Sequence, residues 1–484
     1  MLYLYSMDKM IRNKVLKLSK FTLFLPTFKI IQNQFHYFSF KTLFSLEGNI
    51  KKTSLLIFTA LCFIFNVYAG NTLTKQQEAK KLVKEGITYG KLGHYNKAIK
   101  DFTKAIQLNP KNINAYVIRG AVYDQLGHYN KAIKDFTKAI QLNPKDELAY
   151  YGRGDTYGKL GHYNKEVNDE TKAIQLNPKD TDAYVKRGSA YGKLGHYNKE
   201  IKDETKAIQL NPKDTDAYVK RGSAYGKLGH YNKAIEDYTK AIQLNPQDAD
   251  AYNNRGNAYG LLGHYNKEVN DETKAIQLNP QEELAYYNRG IAYGQLGHHN
   301  KEIKDYTKAI RLNPQDELAY WERGNAYGLL GHYNKAIKDD TKAIRLNPQD
   351  ADAYYDRGYA YGKLEHYNKA IEDFTKVIQL NPQDADVYYD RGYAYGQLGH
   401  YNKEITDDTK AIRLNPQDAD AYYNRGIDYS ILNFPTVACD DLYHAGILYL
   451  QQGHRTDALK CIDLIKKVDI TSPLIEKLNN KIYK

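Results

Sequence analysis

Along most of this chain the apolar positions fall three and four apart, the spacing of an amphipathic helix, and the pattern breaks at fixed intervals. Residues 249–282 are representative. A first stripe of apolar and small residues runs through Tyr252, Gly256 and Tyr259 to about Leu262, and Gly263-His264 interrupts it. A second runs from about Asn266 to Leu278, where Asn279-Pro280 stops it. Proline cannot continue a helix, and it drives the preceding residue out of the helical region. Asp248 or Asp250 stands where the first helix needs an N-cap. The pattern predicts a helix, a tight turn and a second helix, closed by a short turn at the Asn-Pro pair.

That Asn-Pro pair recurs ten times at intervals of 34, from Asn109-Pro110 to Asn415-Pro416. A period of this size predicts a stacked array of helical hairpins, each unable to bury its apolar face alone. The ten frames run from 79–112 to 385–418, and an eleventh, divergent one covers 419–452. In 453–484, Ala458, Leu459, Ile462 and Ile465 keep helical spacing and Ser472-Pro473 can open a last helix through Leu478. This segment is expected to cap the array.

The unit resembles the tetratricopeptide repeat, whose pattern places a bulky residue early in helix A, then Gly at position 8, Tyr at 11, Ala at 20, an aromatic at 24, Ala at 27 and Pro at 32. Residues 113–146 match with Tyr116, Gly120, Tyr123, Ala132, Phe136, Ala139 and Pro144. The resemblance implies an all-α fold, an α-solenoid wound as a right-handed superhelix, and a non-catalytic scaffold that binds a protein or peptide without a cofactor. In this family ligands lie in a concave groove lined by helix A at positions 2, 5, 9, 12 and 13. That assigns a candidate peptide groove to Tyr151, Tyr287, Trp321, Tyr355, Tyr389 and Tyr423 at position 5. Asn257, Asn325, Tyr359 and Tyr393 at position 9, and Asp250, Asp352 and Asp386 at position 2, complete it. Aromatics with polar tips make good anchors, and an acidic edge suits a peptide of some basic character; the alternative is that the tyrosines only fill the inner wall. The family's carboxylate clamp needs Lys at positions 2 and 5, and position 5 holds none.

Charge adds little to this reading once it is divided. Residues 1–69 carry nine Lys/Arg against two Asp/Glu, which is +7 of the total of +12. The rest has its signs interspersed, which argues against nucleic acid as a partner. Residues 51–69 follow the plan of a secretory signal: Lys51-Lys52, an apolar core from Leu55 to Phe65, then Val67-Tyr68-Ala69 before Gly70. The core is shorter than the roughly 20 residues that span a bilayer. The expectation is an exported protein, periplasmic or secreted and bacterial; the alternative is an uncleaved inner-membrane anchor on an assembly factor. A membrane is a partner only in that second case. Residues 1–50 are then either an annotated extension ahead of the natural start or a basic, aromatic leader.

Three features carry possible chemistry. Ten histidines, His94 to His400, recur at position 16 in the A–B turn. Neighbouring copies stand about 10 Å apart on packed helices, so they share no zinc, and turn capping or a solvated edge is expected. Ten arginines, Arg119 to Arg425, and ten aspartates, Asp101 to Asp407, suggest a structural ladder between helices. Glu166, Glu200, Glu268, Glu302 and Glu404 replace alanine at position 20, and Glu170, Glu204, Glu272, Asp340 and Asp408 replace the aromatic at 24. Three readings stay open: lysines fold in to pair with them, the repeats there pack loosely, or paired carboxylates hold a metal or a catalytic site. Otherwise the chain holds no nucleophile elbow, P-loop, dinucleotide fingerprint, HExxH or CxxC, and no segment outside the repeats long enough for a catalytic domain. Its three cysteines build no disulfide framework.

Overall fold

A computed structural model describes residues 49–483. Residues 1–48, including the leader, lie outside the described residues, as do most side chains of 49–67. Twenty-four helices follow one another with no strand among the described residues, the architecture of an α-solenoid. They fall into two compact units, one ending at Ala224 and one beginning at Tyr225.

The first helix, Asn49–Lys91, runs unbroken from the apolar segment into the first repeat. Among the described residues no helix is long and apolar enough to cross a membrane. Thereafter each repeat is a pair, such as Ala249–Leu261 with Tyr265–Leu278 and Glu283–Gln295 with His299–Leu312. Local chemistry sets the ends. Asp248 accepts from the Ala251 N–H as N-cap. Asn279 ends the second helix, donating its N–H to the Ala275 carbonyl, and its Oδ1 accepts from Gln281 N at 3.2 Å. In the A–B turn Gly263 takes φ +74°, the left-handed conformation that glycine adopts freely. Two turns place other residues there: Glu365 at φ 60° and Asn433 at φ 64°.

Within a repeat, helix B packs on helix A through the residue at position 24. Phe136 is 1 % exposed. Gly120 of the same repeat faces its ring, where a Cβ would stand 3.1 Å away, and on Gly152 of the next repeat a Cβ would stand 2.6 Å away, so only glycine admits that second approach. The C-terminal end is closed by Pro435–Gln451, Arg455–Val468 and Pro473–Ile482, where Leu442, Ile462, Ile465 and Leu478 form an apolar core. Cys439 and Cys461 are buried free thiols.

The arginine–aspartate ladder forms, with a shifted range and an added partner. Arg153 grips Asp169 with two parallel hydrogen bonds, Nε to Oδ2 at 2.7 Å and Nη2 to Oδ1 at 2.8 Å, and its Nη1 donates to Thr137 Oγ1 of the preceding repeat at 3.1 Å. The geometry recurs from Arg119 with Asp135 to Arg187 with Asp203 in the first unit, and from Arg255 with Asp271 to Arg425 with Asp441 in the second. Asp101, expected as the first rung, is not one of these partners, because Glu85 stands where its arginine would be; Asp441 of the divergent repeat takes the last place. Each arginine thus ties its own helix A to two helices B, one on either side.

Candidate partner-binding face

In the second unit the helix-A residues at position 5 interlock with position 6 of the following repeat. Trp321 Nε1 donates to Asp356 Oδ2 at 2.8 Å, and the Tyr355 hydroxyl donates to Asp390 Oδ2 at 2.7 Å. Asn424 Nδ2 donates to the Tyr389 hydroxyl at 3.3 Å. The same side chains lean on the repeat interior: the Tyr287 ring lies 5.7 Å from Tyr306, Tyr355 lies 5.8 Å from Phe374, and Tyr423 lies 6.2 Å from Tyr449. The aromatics at position 5 are therefore half-buried and present edges rather than free rings.

Exposure concentrates one turn further on. Tyr359 and Tyr393, at position 9, are each 45 % exposed, and Lys363 Nζ lies 4.7 Å over the Tyr359 ring. Asn257 is exposed and Asn325 half-buried. Asp250, Asp352 and Asp386 are exposed at the opening of their helices. Between these rows lie the carboxylates of position 6. Burial, reinforced by Glu302 and Asp356, raises Glu322 to about 7. Burial, opposed by the Trp321 hydrogen bond, raises Asp356 to about 6. The face is acidic, and aromatic donors hold two of its carboxylates, Asp356 and Asp390.

Tyr151 belongs to the first unit, where the corresponding face differs. Lys186 meets Asp155 at 2.5 Å and Lys159 meets Asp155 at 2.9 Å, while Lys159 also pairs with Asp124. Here a lysine–aspartate zipper replaces the aromatic–carboxylate one. Sequence reasoning missed position 6 altogether. Its signal is a spacing of 35, one more than the period, which joins position 5 of one repeat to position 6 of the next.

Models of the tetratricopeptide repeat match residues 79–112, 148–180, 181–214, 249–282, 284–316 and 351–384, and related repeat models match between and beyond them as far as 406. The chain is a tetratricopeptide-repeat protein. Proteins of this family generally act as non-catalytic scaffolds for protein–protein interaction. No curated protein matches the chain. Among solved structures it is similar to YrrB, described as a tetratricopeptide-repeat protein with an unusual peptide-binding site, at 26% identity over 38% of this chain and 95% of that one, with a TM-score of 0.35. It is also similar to MamA, at 29% identity over 33% and 94%, with a TM-score of 0.32. A repeat protein from Parabacteroides merdae matches at 20% identity over 52% and 99%, with a TM-score of 0.42.

The ten turn histidines of the repeats are exposed N-cap residues whose side chains make no cap bond. Each ring instead lies 6.2 or 6.3 Å from the tyrosine five residues earlier, as His264 does from Tyr259 and His128 from Tyr123. They form a solvated edge and cap nothing with their rings.

The carboxylates at positions 20 and 24 are the most unusual feature of these repeats. Glu170, Glu204, Asp340 and Asp408 are 0 % exposed, and none of their oxygens has a hydrogen-bond partner. A Cβ on Gly188 would stand 2.6 Å from Glu204 Oε1, so the carboxylate fills the slot that an aromatic fills elsewhere. Burial is the dominant cause that raises Glu204 to about 9, Glu272 to about 10 and Asp340 to about 9, and that holds Glu166, Glu200 and Glu268 at about 7. Lys186 and Lys220 do not fold in: Lys186 pairs with Asp155 and acts on Glu166 only through space, and Lys220 pairs with Asp216 and acts on Glu166 and Glu200 only through space. Their ammonium groups keep part of their hydration, which entry into a dry slot would forfeit. For Glu204, Glu272 and Asp340 burial thus favours the neutral acid at neutral pH.

Proposed function

We propose that this chain is a non-catalytic scaffold that holds an extended, basic peptide segment of a partner protein along the helix-A face of the second unit. One observation carries the reading: the exposed rings of Tyr359 and Tyr393 stand on the same helices as the exposed carboxylates of Asp352 and Asp386. Large rings anchor a peptide at low entropic cost. The carboxylates select cationic side chains and speed encounter. The candidate residues Tyr287, Trp321, Tyr355, Tyr389 and Tyr423 serve as the floor beneath this ridge, and Asn257 and Asn325 supply amides to a peptide backbone. The aromatic face of Tyr151 lies outside this unit and has no part in the grip.

Fluorescence anisotropy with labelled extended peptides of matched length tests this. Peptides carrying Lys or Arg should bind and lose affinity with salt, and replacing both Tyr359 and Tyr393 by alanine should weaken binding about tenfold, the loss of one good anchor. Equal binding of acidic peptides, or none lost in the double variant, would sink the reading.

The signal-like pattern of residues 51–69 supports export, with action in the periplasm or outside the cell. The unbroken helix Asn49–Lys91 favours a second reading, in which the apolar segment stays attached as an anchor and holds the repeats directly at a membrane. N-terminal sequencing of the protein from its native cell separates the two: a start at Gly70 in a soluble fraction supports export, an intact segment in the membrane fraction supports the anchor.

A further inference from the structure

The repeats that carry a carboxylate pair on helix B differ in what the next repeat sets against it. At position 10 of the following helix A stands Ala190 after Glu166 and Glu170, Ala224 after Glu200 and Glu204, and Ala292 after Glu268 and Glu272. After Glu404 and Asp408 the same position holds Asp428. A third carboxylate therefore enters a slot where every sister pair meets a methyl group.

The three lie together and away from water. Glu404 is 6 % exposed, Asp408 0 % and Asp428 2 %. One oxygen from each falls within 4.8 Å of the other two. Neither oxygen of Asp408 has a hydrogen-bond partner, and Asp428 Oδ2 has none either. Gly396 roofs the cluster, since any Cβ there would overlap the Glu404 carboxylate. Arg425, the cation that acts on Asp408, is already committed to Asp441 through two hydrogen bonds of 2.7 and 2.8 Å. Glu404 and Asp428 share a hydrogen bond, but Asp408 has no donor toward either oxygen, and a buried acid left so is costly.

We propose that Glu404, Asp408 and Asp428 form a binding site for a calcium ion, set between helix Tyr401–Leu414 of the tenth repeat and helix Ala419–Ile431 of the eleventh. The donor set is oxygen only, which suits hard cations and excludes the preferences of zinc and copper. Ligands about 2.4 Å from a calcium ion stand at most about 4.8 Å apart across it, the span within which these oxygens lie, whereas magnesium draws its ligands to about 2.1 Å and retains several waters, for which this dry slot is a poor host. Three carboxylates offer up to six oxygens, the lower end of calcium's coordination number. The ion offsets the charge of the cluster, and it joins the last regular repeat to the divergent one. The site stands independently of the peptide-binding reading.

Isothermal titration of the full chain with calcium chloride at pH 7.5, paired with thermal unfolding in calcium and in chelator, tests it. One equivalent of calcium should bind and should raise the unfolding midpoint. Asp428→Ala, which restores the residue of the sister repeats, should fold and lose at least tenfold in affinity; Glu268→Gln, in a pair without a third acid, should bind as the parent does. No heat and no shift with calcium overturns the site, as does unchanged binding by Asp428→Ala. Binding of magnesium or manganese in preference to calcium overturns the choice of ion and with it the proposal as stated.

Discussion

The hydroxyl of Tyr355 donates to the carboxylate of Asp390, 35 positions later, at 2.7 Å. That bond joins adjacent helices A directly on the face assigned to partner binding. Removing the hydroxyl leaves the half-buried Asp390 carboxylate without its donor. Tyr355→Phe should therefore destabilise the ninth and tenth repeats by about 1–2 kcal/mol, the usual cost of an unsatisfied acceptor. A double-mutant cycle with Asp390→Asn should recover most of that loss as coupling, whereas additive effects would show that the bond contributes nothing.

Each arginine clamp combines a charged grip inside its repeat with a neutral link to the preceding one. Arg289 reaches Asp305 twice, at 2.7 and 2.8 Å, and Thr273 of the preceding repeat at 3.0 Å. Arg289→Ala strands a carboxylate that is almost fully covered, at a cost of about 3 kcal/mol. Thr273→Val removes a single neutral acceptor and should cost about 1 kcal/mol. Stability in stacked repeats is local, so hydrogen exchange should speed up in the helices around the change and stay unaltered in distant repeats.

The buried acids reverse the usual effect of pH. Their folded-state values, about 9 for Glu204 and about 10 for Glu272, exceed those of an unfolded chain. The folded state thus binds more protons than the unfolded one between roughly pH 4.5 and 9, so stability is full below that window and declines as pH rises through it, by about 1.4 kcal/mol per unit for each group. The unfolding midpoint should fall between pH 6 and pH 9. Glu204→Gln should flatten that slope; a midpoint that rises with pH in the parent protein would contradict the protonated state.

Glu365 occupies a turn position at φ 60° that glycine holds in the neighbouring repeats. A side chain in this conformation costs about 1 kcal/mol or more. Glu365→Gly should raise the stability of the ninth repeat by about that amount, less the entropy that glycine adds to the unfolded chain. Local denaturant unfolding, followed through exchange of the Ala360 and Ala370 amides, would register it.

Much of this was legible in the sequence, for physical reasons that also set the limits. Gly263, Asn279 and Pro280 announce their turns through backbone chemistry that needs no tertiary context, and the period of 34 did the rest. Arg153 and Asp169 could be matched because their separation of 16 recurs in every frame after the first. Thr137 could not, since a threonine is unremarkable until a neighbouring repeat stacks against it. The same holds for Asp356 and Asp390, whose roles arise from a spacing that steps out of the frame by one, and for Asp428, which acquires meaning only beside two acids of the previous repeat. Glu204 and Asp340 were visibly out of place, but choosing between a lysine partner and a retained proton required knowing that Lys220 is engaged by Asp216.

The symmetry of the arginine clamp bears on how such a gene can change. Each arginine lies 16 residues from its aspartate and 16 from its threonine, so the contacts depend on register alone and not on which copy supplies them. Residues 183–199 and 217–233 are the same string. Unequal recombination between such stretches would add or delete 34 codons and hand every remaining arginine an equivalent pair of neighbours. The protein can therefore lengthen or shorten by whole units between one lineage and the next without losing a single clamp at the junction.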